Sequence, residues 1–155
     1  EIIRQLRLER HPEGGWFRRT FESDQRIFLE RGQRSACTGI YYLLSRGEFS
    51  TLHVLSSDET WFFHAGSGMV VHLFGPRKYE EKRLGPSLSL GEQLQLTIRA
   101  GTTFAVELPR VGEWCLVSCT VCPGFEYEDF SLGDIPALLE AFPDKCELIK
   151  RLETE

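Results

Sequence analysis

Hydrophobic and polar residues alternate in short runs along most of the chain, a pattern typical of β-strands. Runs rich in β-branched and aromatic residues recur between breaks made of Gly, Pro, Ser and Asp, at residues 35–44, 50–55, 60–64, 69–74, 93–98, 103–107 and 114–121. This spacing predicts an all-β sandwich or barrel. The first run, SACTGIYYLL, has almost no polar face, so we expect that strand to be buried on both sides.

The pattern changes near the C-terminus. The segments DIPALLEAF (134–142) and DKCELIKRL (144–152) carry helical spacing, with Pro136 and Pro143 near their starts. No repeat, linker or low-complexity segment interrupts the chain. We therefore expect one domain over residues 1–155, a β fold with short C-terminal helices.

Charge and cysteine content narrow the classes of function. The chain has 155 residues and a net charge of −5, without a lysine or arginine cluster, which argues against a nucleic-acid partner. No apolar run is long enough for a membrane span. Five cysteines, an odd number, and a start without signal-peptide features favour reduced thiols and a cytoplasmic location. Cys119 and Cys122 would point to opposite faces of a strand, so we interpret them as small buried hydrophobes rather than a redox or zinc pair.

The stretch GEFSTLHVLSSDETWFFHAG, residues 47–66, contains the candidate chemistry. Strand alternation predicts a hairpin whose two arms turn polar groups toward the same interior, while His64 faces outward. The inward side chains are expected to be Thr51, His53 and Leu55 on one arm and Glu59, Trp61 and Phe63 on the other.

The spacing Gly47-x5-His53-x-Leu55-x3-Glu59-x6-Gly66 resembles the first cupin motif, with Leu55 in the place of its second histidine. The counterpart of the second motif lies in residues 93–108, where Phe104 stands at the histidine position. Only two of the four usual ligands then remain, whereas a tight transition-metal site needs at least three protein donors. We therefore expect no metal and no other cofactor.

Five ordered segments make the resemblance narrower: HPEGGWFRRTF, RSACTGIYYLL, LSSDETWFFHAG, IRAGTTF and LVSCTVCPGFEYEDF. Together they resemble a small, largely uncharacterised branch of the cupin superfamily, over about residues 8–152. The resemblance implies a double-stranded β-helix, a jelly-roll barrel of the RmlC-like type, usually paired as a homodimer. It implies no substrate. HPEGG itself is read as a turn that feeds an edge strand, or alternatively as a segment whose Glu13, with Arg18, closes a pocket.

Two hypotheses of function follow. The first is a protein that binds a small molecule inside the barrel without a metal, using Thr51, His53, Leu55, Glu59, Trp61, Phe63 and Phe104. The second is a metal-independent epimerase or isomerase acting on a sugar or sugar nucleotide, with His53 as base and Glu59 as its partner.

The apolar strand and the composition of WFRRTF also predict a homodimer in which residues 16–21 add to a partner's sheet. The alternative is that the C-terminal helices cover the apolar face and that this arm folds back on its own sheet.

Overall fold

The structure, a computed structural model, describes residues 1–153. It contains thirteen strands, which in chain order are β1 (Glu9–Arg10), β2 (Trp16–Glu22), β3 (Arg26–Leu29), β4 (Gly32–Ser35), β5 (Thr38–Ser45), β6 (Phe49–Leu55), β7 (Asp58–Gly66), β8 (Met69–Phe74), β9 (Tyr79–Leu84), β10 (Gln95–Ile98), β11 (Thr103–Glu107), β12 (Trp114–Cys122) and β13 (Phe130–Leu132). Its α-helices are α1 (Ile2–Gln5), α2 (Ile135–Ala141) and α3 (Cys146–Arg151), and short 3₁₀ turns lie at Leu88–Leu90, Tyr127–Asp129 and Pro143–Lys145.

Two antiparallel sheets form the barrel. One has the order β1-β2-β5-β12-β7-β10 and the other β13-β6-β11-β8-β9, while β3 and β4 form a separate hairpin. Inward side chains of both sheets pack into one apolar core that includes Leu44, Trp61, Phe104 and Val117. The jelly roll expected from the sequence is confirmed, and so is the presence of short C-terminal helices.

Strand β2 lies within its own chain's sheet. It pairs with β5, with Arg18 opposite Tyr41 and Arg19 opposite Ile40. In the single chain the arm therefore folds back on its own sheet, as in the alternative interpretation of this segment.

The C-terminal helices cover the outer face of the second sheet. Asp134 caps α2 by accepting a hydrogen bond from the Ala137 amide at 3.1 Å, which explains why the helix begins there. Leu138, Ile149 and Leu152 then pack on Leu52 and other outward residues of the sheet.

A polar cluster beneath α3 helps to hold the C-terminal helices on the second sheet. The buried His72 ring contacts the Tyr79 hydroxyl through Nδ1 at 2.8 Å and Glu107 Oε1 through Nε2 at 2.9 Å. Arg151, at the end of α3, donates to both oxygens of Glu107. Burial opposes ionisation of Glu107, but its hydrogen bonds with Arg151 and His72 outweigh burial and lower its pKa to about 2.

Candidate functional site

A cavity of about 380 Å³ opens into the barrel. Its apolar wall is formed by Phe17, Ile40, Tyr42, Leu55, Trp61, Cys119, Val121 and Phe125. Its polar lining consists of Glu9, His11, Glu13, Arg19, Thr38, Ser50, His53, Glu59, Glu126 and Tyr127. A concave site that combines an apolar wall with convergent polar groups is the usual form of a small-molecule pocket.

The HPEGG turn reaches the pocket because its two glycines let the backbone approach the strands. A Cβ at Gly14 would lie 2.0 Å from the Phe49 carbonyl oxygen, and one at Gly15 would lie 2.8 Å from the Leu43 carbonyl oxygen. Both residues also have positive φ, which favours glycine. The turn is held by the Tyr42 hydroxyl, which donates to the Gly14 carbonyl at 2.8 Å. His11 and Glu13 are thereby carried to the cavity.

Strand β6 contains a β-bulge that changes which residues face inward. Opposite β11, Phe104 pairs with His53 but Val106 pairs with Ser50, so two residues of β6 stand against one of β11. The placement of Thr51 on the inner face was therefore wrong. Its hydroxyl donates to the Leu152 carbonyl at 3.0 Å, on the helical side, and Ser50 lines the cavity instead.

The other expected residues divide into two groups. His53, Leu55, Glu59 and Trp61 come together around the cavity. Phe104 is buried in the core beneath the His53 ring, at 4.1 Å between ring centroids, and Phe63 is half-buried against the core; neither lines the cavity, in contrast to the expectation.

The outward direction predicted for His64 from strand alternation is correct. His64 faces outward and bonds the Ser118 hydroxyl through Nε2 at 2.8 Å. Arg18 also lies on the outer side, 5.8 Å from the Tyr41 ring centre, so the arginine at the pocket is Arg19. Cys119 is buried at the cavity, as expected, whereas Cys122 is exposed and the expectation that it is buried was wrong.

His53 is fixed in one tautomer by its backbone contact. Nδ1 lies 2.6 Å from the Thr51 carbonyl oxygen, and a carbonyl can only accept, so Nδ1 carries the hydrogen. Burial lowers the pKa of His53 to about 4, against the opposing effect of that hydrogen bond. The ring is therefore neutral at pH 7, and its Nε2 is left as a hydrogen-bond acceptor or a base.

Glu59 and Trp61 are buried without complete hydrogen bonding. Glu59 is 7% exposed and Trp61 3% exposed, yet Glu59 Oε2 and Trp61 Nε1 have no protein partner. Burial raises the pKa of Glu59 to about 7, an effect that the nearby Trp61 indole opposes and the Glu13 carboxylate reinforces. The indole is close enough to act on this charge but falls short of hydrogen-bond geometry.

His11 and Glu13 form a second pair at the same cavity. The Glu13 amide donates to His11 Nδ1 at 3.2 Å, and a Glu13 carboxyl oxygen lies 3.3 Å from that nitrogen. Burial lowers the pKa of His11 to about 4, with a further contribution from His53. Burial also raises the pKa of Glu13 to about 7. The two histidines and the two glutamates, His11, His53, Glu13 and Glu59, are thus all shifted toward their uncharged forms.

These residues do not fit a transition metal of the kind that cupin motifs bind. Leu55 and Phe104 occupy two ligand positions with carbon. Over residues 1–153, no three His, Cys, Asp or Glu side chains converge in a way that could hold an ion. What the pocket does offer chemically is a set of hydrogen-bonding and acid–base groups.

Several pocket residues had no clear signal in the sequence. The sequence indicates Glu13 only through the alternative interpretation of HPEGG, and it carries no clear signal for His11, Tyr42 or Arg19. The paired glycines indicated a close backbone approach, but not the strand against which it occurs. In the segment 125–127, the Pro-Gly break before Phe125 indicated only a turn.

Comparisons with known proteins agree with this architecture. The chain is similar to a hypothetical protein from Leishmania major, at 34% identity and a TM-score of 0.91, covering 99% of this chain and 97% of that one. A protein from Shewanella oneidensis is similar at 34% identity and a TM-score of 0.88, with 99% and 95% covered.

More distant similarity concerns the fold alone. Oxalate decarboxylase from Bacillus subtilis has 14% identity and a TM-score of 0.58, over 92% of this chain and 36% of that one. No curated protein matches the sequence. The model of the family described as "Cupin superfamily (DUF985)" matches residues 1–133, and the chain therefore belongs to that family of cupins.

Proposed function

We propose that this protein binds a small organic molecule in the barrel pocket without a transition metal. The observation that carries the proposal is the pair of unpartnered polar atoms, Glu59 Oε2 and Trp61 Nε1, beside the cavity. A buried polar group without a hydrogen bond costs about 1–3 kcal/mol of stability. A ligand that bonds to either atom would recover part of this cost.

The form of the cavity supports the same proposal. Its 380 Å³ lies in the lower part of the range of about 300–1,000 Å³ found for small-molecule sites. Aromatic side chains at Phe17, Trp61 and Phe125 offer contact area to a flat or apolar body, and His53 and Glu59 offer directional polar contacts.

The test is a search for ligands with a matched set of variants. Protein purified under native conditions is extracted for small molecules, and a chemically diverse library is screened by thermal shift. We expect stabilising compounds whose effect is lost in Glu59→Gln and kept in Glu140→Gln, the same substitution at an exposed glutamate of α2. A full screen without a stabilising compound, or compounds that stabilise Glu59→Gln equally, would contradict the proposal.

The expected absence of a transition metal is tested separately. Elemental analysis is expected to find far less than one zinc, iron, manganese or nickel per chain. A stoichiometric metal that disappears in His53→Ala would overturn this part of the proposal.

A second candidate function is metal-independent proton transfer, as in an epimerase or isomerase. It is favoured by the His53 tautomer, whose free Nε2 can act as a base, next to a carboxyl group with a pKa of about 7. The sugar-nucleotide version has less support, because Arg19 is the one lysine or arginine among the described residues of the cavity. Exchange of a substrate C–H for deuterium, lost in His53→Gln, would establish catalysis, whereas binding without exchange would contradict it.

The homodimer also stays a proposal. The apolar character of β5 supports it, but β2 already pairs with β5 of the same chain, so a partner would contact the outer face rather than receive the arm. Light scattering should give twice the chain mass at micromolar concentration, and a monomer mass would contradict the dimer.

A further inference from the structure

We propose that the barrel pocket takes a small organic cation, whose ammonium group lies between Glu59 and Glu13 and whose apolar body packs on Trp61 and Phe125. This inference rests on the proposed function, since it names the class of molecule that the same pocket binds. It is more restrictive than that function, because it expects an anion or a neutral molecule of equal size to bind much less well.

The charges around the cavity favour a cation. Four carboxyl groups line it, on Glu9, Glu13, Glu59 and Glu126. Among residues 1–153, the only lysine or arginine of the lining is Arg19, which already donates to Glu22 at 3.1 Å and to the Phe125 carbonyl at 3.5 Å. An incoming anion would meet carboxylates and no free positive charge.

The hydrogen-bonding groups of the pocket also favour a cation. His53 Nε2 is an acceptor in its neutral tautomer, and Glu59 Oε2 is a buried acceptor without a protein partner. An ammonium group has only donors and so matches these acceptors. When Glu59 is ionised by such a ligand, the neighbouring Trp61 N–H can steady the carboxylate, and the indole face can contact the cation.

Several basic side chains lie away from the barrel pocket, at a second cavity. This cavity of about 320 Å³ lies at the edges of β9 and β10, and its lining includes Arg77, Lys82 and Arg99. Arg99 is paired with Asp58 at 2.6 Å. Anions can bind at this second cavity without entering the barrel. A test of the pocket must therefore measure competition between the probes and not only total binding.

Binding of a cation should depend on pH. The titratable groups that face the pocket are Glu9, His11, Glu13, Arg19, Tyr42, His53, Glu59, Cys119, Glu126 and Tyr127. Near neutrality the two groups whose charge changes are Glu13 and Glu59, each with a pKa raised to about 7, while the two histidines stay neutral above about 4. An aliphatic ammonium keeps its charge over this range, so its affinity should rise as the carboxyl groups ionise.

The experiment uses three probes of nearly equal size: benzylamine, benzyl alcohol and benzoate. Calorimetric titration is done one pH unit below and one above the Glu59 pKa of about 7. At the higher pH we expect benzylamine to bind about tenfold more tightly than benzyl alcohol, and benzoate not to displace it. At the lower pH this preference should shrink several-fold.

Three variants place the effect in the pocket. Glu59→Gln and Glu13→Gln should each remove most of the preference for benzylamine, while Glu140→Gln, the same substitution at an exposed site on α2, should keep it. Thermal melts confirm that each variant is folded, and the two pocket variants serve as checks on each other.

The outcomes separate this inference from the proposed function. Equal binding of benzylamine and benzyl alcohol, displacement by benzoate, or no binding of any probe at millimolar concentration would overturn the cation inference. Compounds of another class that stabilise the wild type but not Glu59→Gln would leave the binding function standing. Failure of the library screen would remove both.

Discussion

His53 and Glu59 face a cavity inside the barrel, whereas His72 and Glu107 face the C-terminal helix outside it. In the outer cluster both ring nitrogens of His72 are bonded, and Glu107 receives Arg151 as a counter-ion. In the inner cluster one nitrogen of His53 is bonded to the backbone, and Glu59 has a carboxyl oxygen without a partner. The same two residue types thus serve stability where their bonding is complete, and are available for a ligand where it is incomplete.

The pKa values of the two glutamates express this difference. Glu107 has a pKa of about 2 because hydrogen bonds from Arg151 and His72 overcome its burial, and Glu59 has a pKa of about 7 because burial dominates. Removing each carboxylate should therefore change the stability of the fold in opposite directions.

The largest effect is expected for Glu107→Ala. The change leaves Arg151 and His72 without their shared partner, and should lower the free energy of unfolding by about 2–3 kcal/mol. Urea unfolding near neutral pH measures it, with the exposed Glu140→Ala as control. Because the pKa of Glu107 is depressed in the folded state, the variant's loss of stability should have its full size above about pH 4.5. It should shrink as the pH falls toward about 2. A loss below that of the control would show the outer cluster to be unimportant.

Glu59→Gln should have the opposite sign. A carboxyl group with a raised pKa stabilises the fold below its ordinary value of 4.5, and that contribution is lost as the pH rises through about 7. The amide removes the buried charge, so the variant should gain about 2 kcal/mol at about pH 8 and almost nothing at about pH 4. The same unfolding experiment measures it. Destabilisation at the higher pH would mean that Glu59 is bonded in solution and that the contrast between the clusters is false.

The stability of the wild type should depend only weakly on pH, because the effects of His11 and His53 oppose those of Glu13 and Glu59. Between about 4.5 and 6.5, the raised pKa values of Glu13 and Glu59 make stability fall with pH, and the lowered values of His11 and His53 make it rise. His53→Gln removes one rising contribution, so its stability should fall by about 1.4 kcal/mol per pH unit more steeply than the wild type. Parallel curves would show that His53 titrates normally in the fold.

Tyr79→Phe is the smallest test. It removes the hydroxyl that bonds His72 Nδ1 and leaves the ring in place. We expect a loss of about 1 kcal/mol in the free energy of unfolding, the usual value for one hydrogen bond. The Tyr127→Phe control changes a mostly exposed tyrosine at the pocket mouth and should have almost no effect on stability. Equal effects in both variants would remove Tyr79 from the outer cluster.

The sequence predicts regular features well and long-range ones poorly. On β7, strict alternation placed Glu59 and Trp61 inward, because a regular strand has a period of two. On β6 the same reasoning failed at Thr51, since the bulge depends on partners outside the strand. The strand Tyr79–Leu84 was not predicted, because its sequence YEEKRL is too polar to show a buried face.

The site shows the same limit. His53 and Glu59 could be proposed from motif spacing, whereas His11 and Glu13 could be assigned to the pocket only once the turn was placed against β5 and β6. Local spacing cannot encode a contact whose two sides are separated by some thirty residues; the Tyr42 to Gly14 hydrogen bond spans 28.

The bulge in β6 also joins remote parts of the chain. The Thr51 amide donates to the Glu13 carbonyl at 3.1 Å, and the next amide, that of Leu52, donates to the Leu152 carbonyl at 3.1 Å. Two consecutive peptide groups just before His53 are therefore tied, one to the N-terminal turn and the other to a residue about 100 positions later. A substitution that displaces the Leu152 carbonyl should therefore change the support of the strand next to His53 without altering a residue of the pocket.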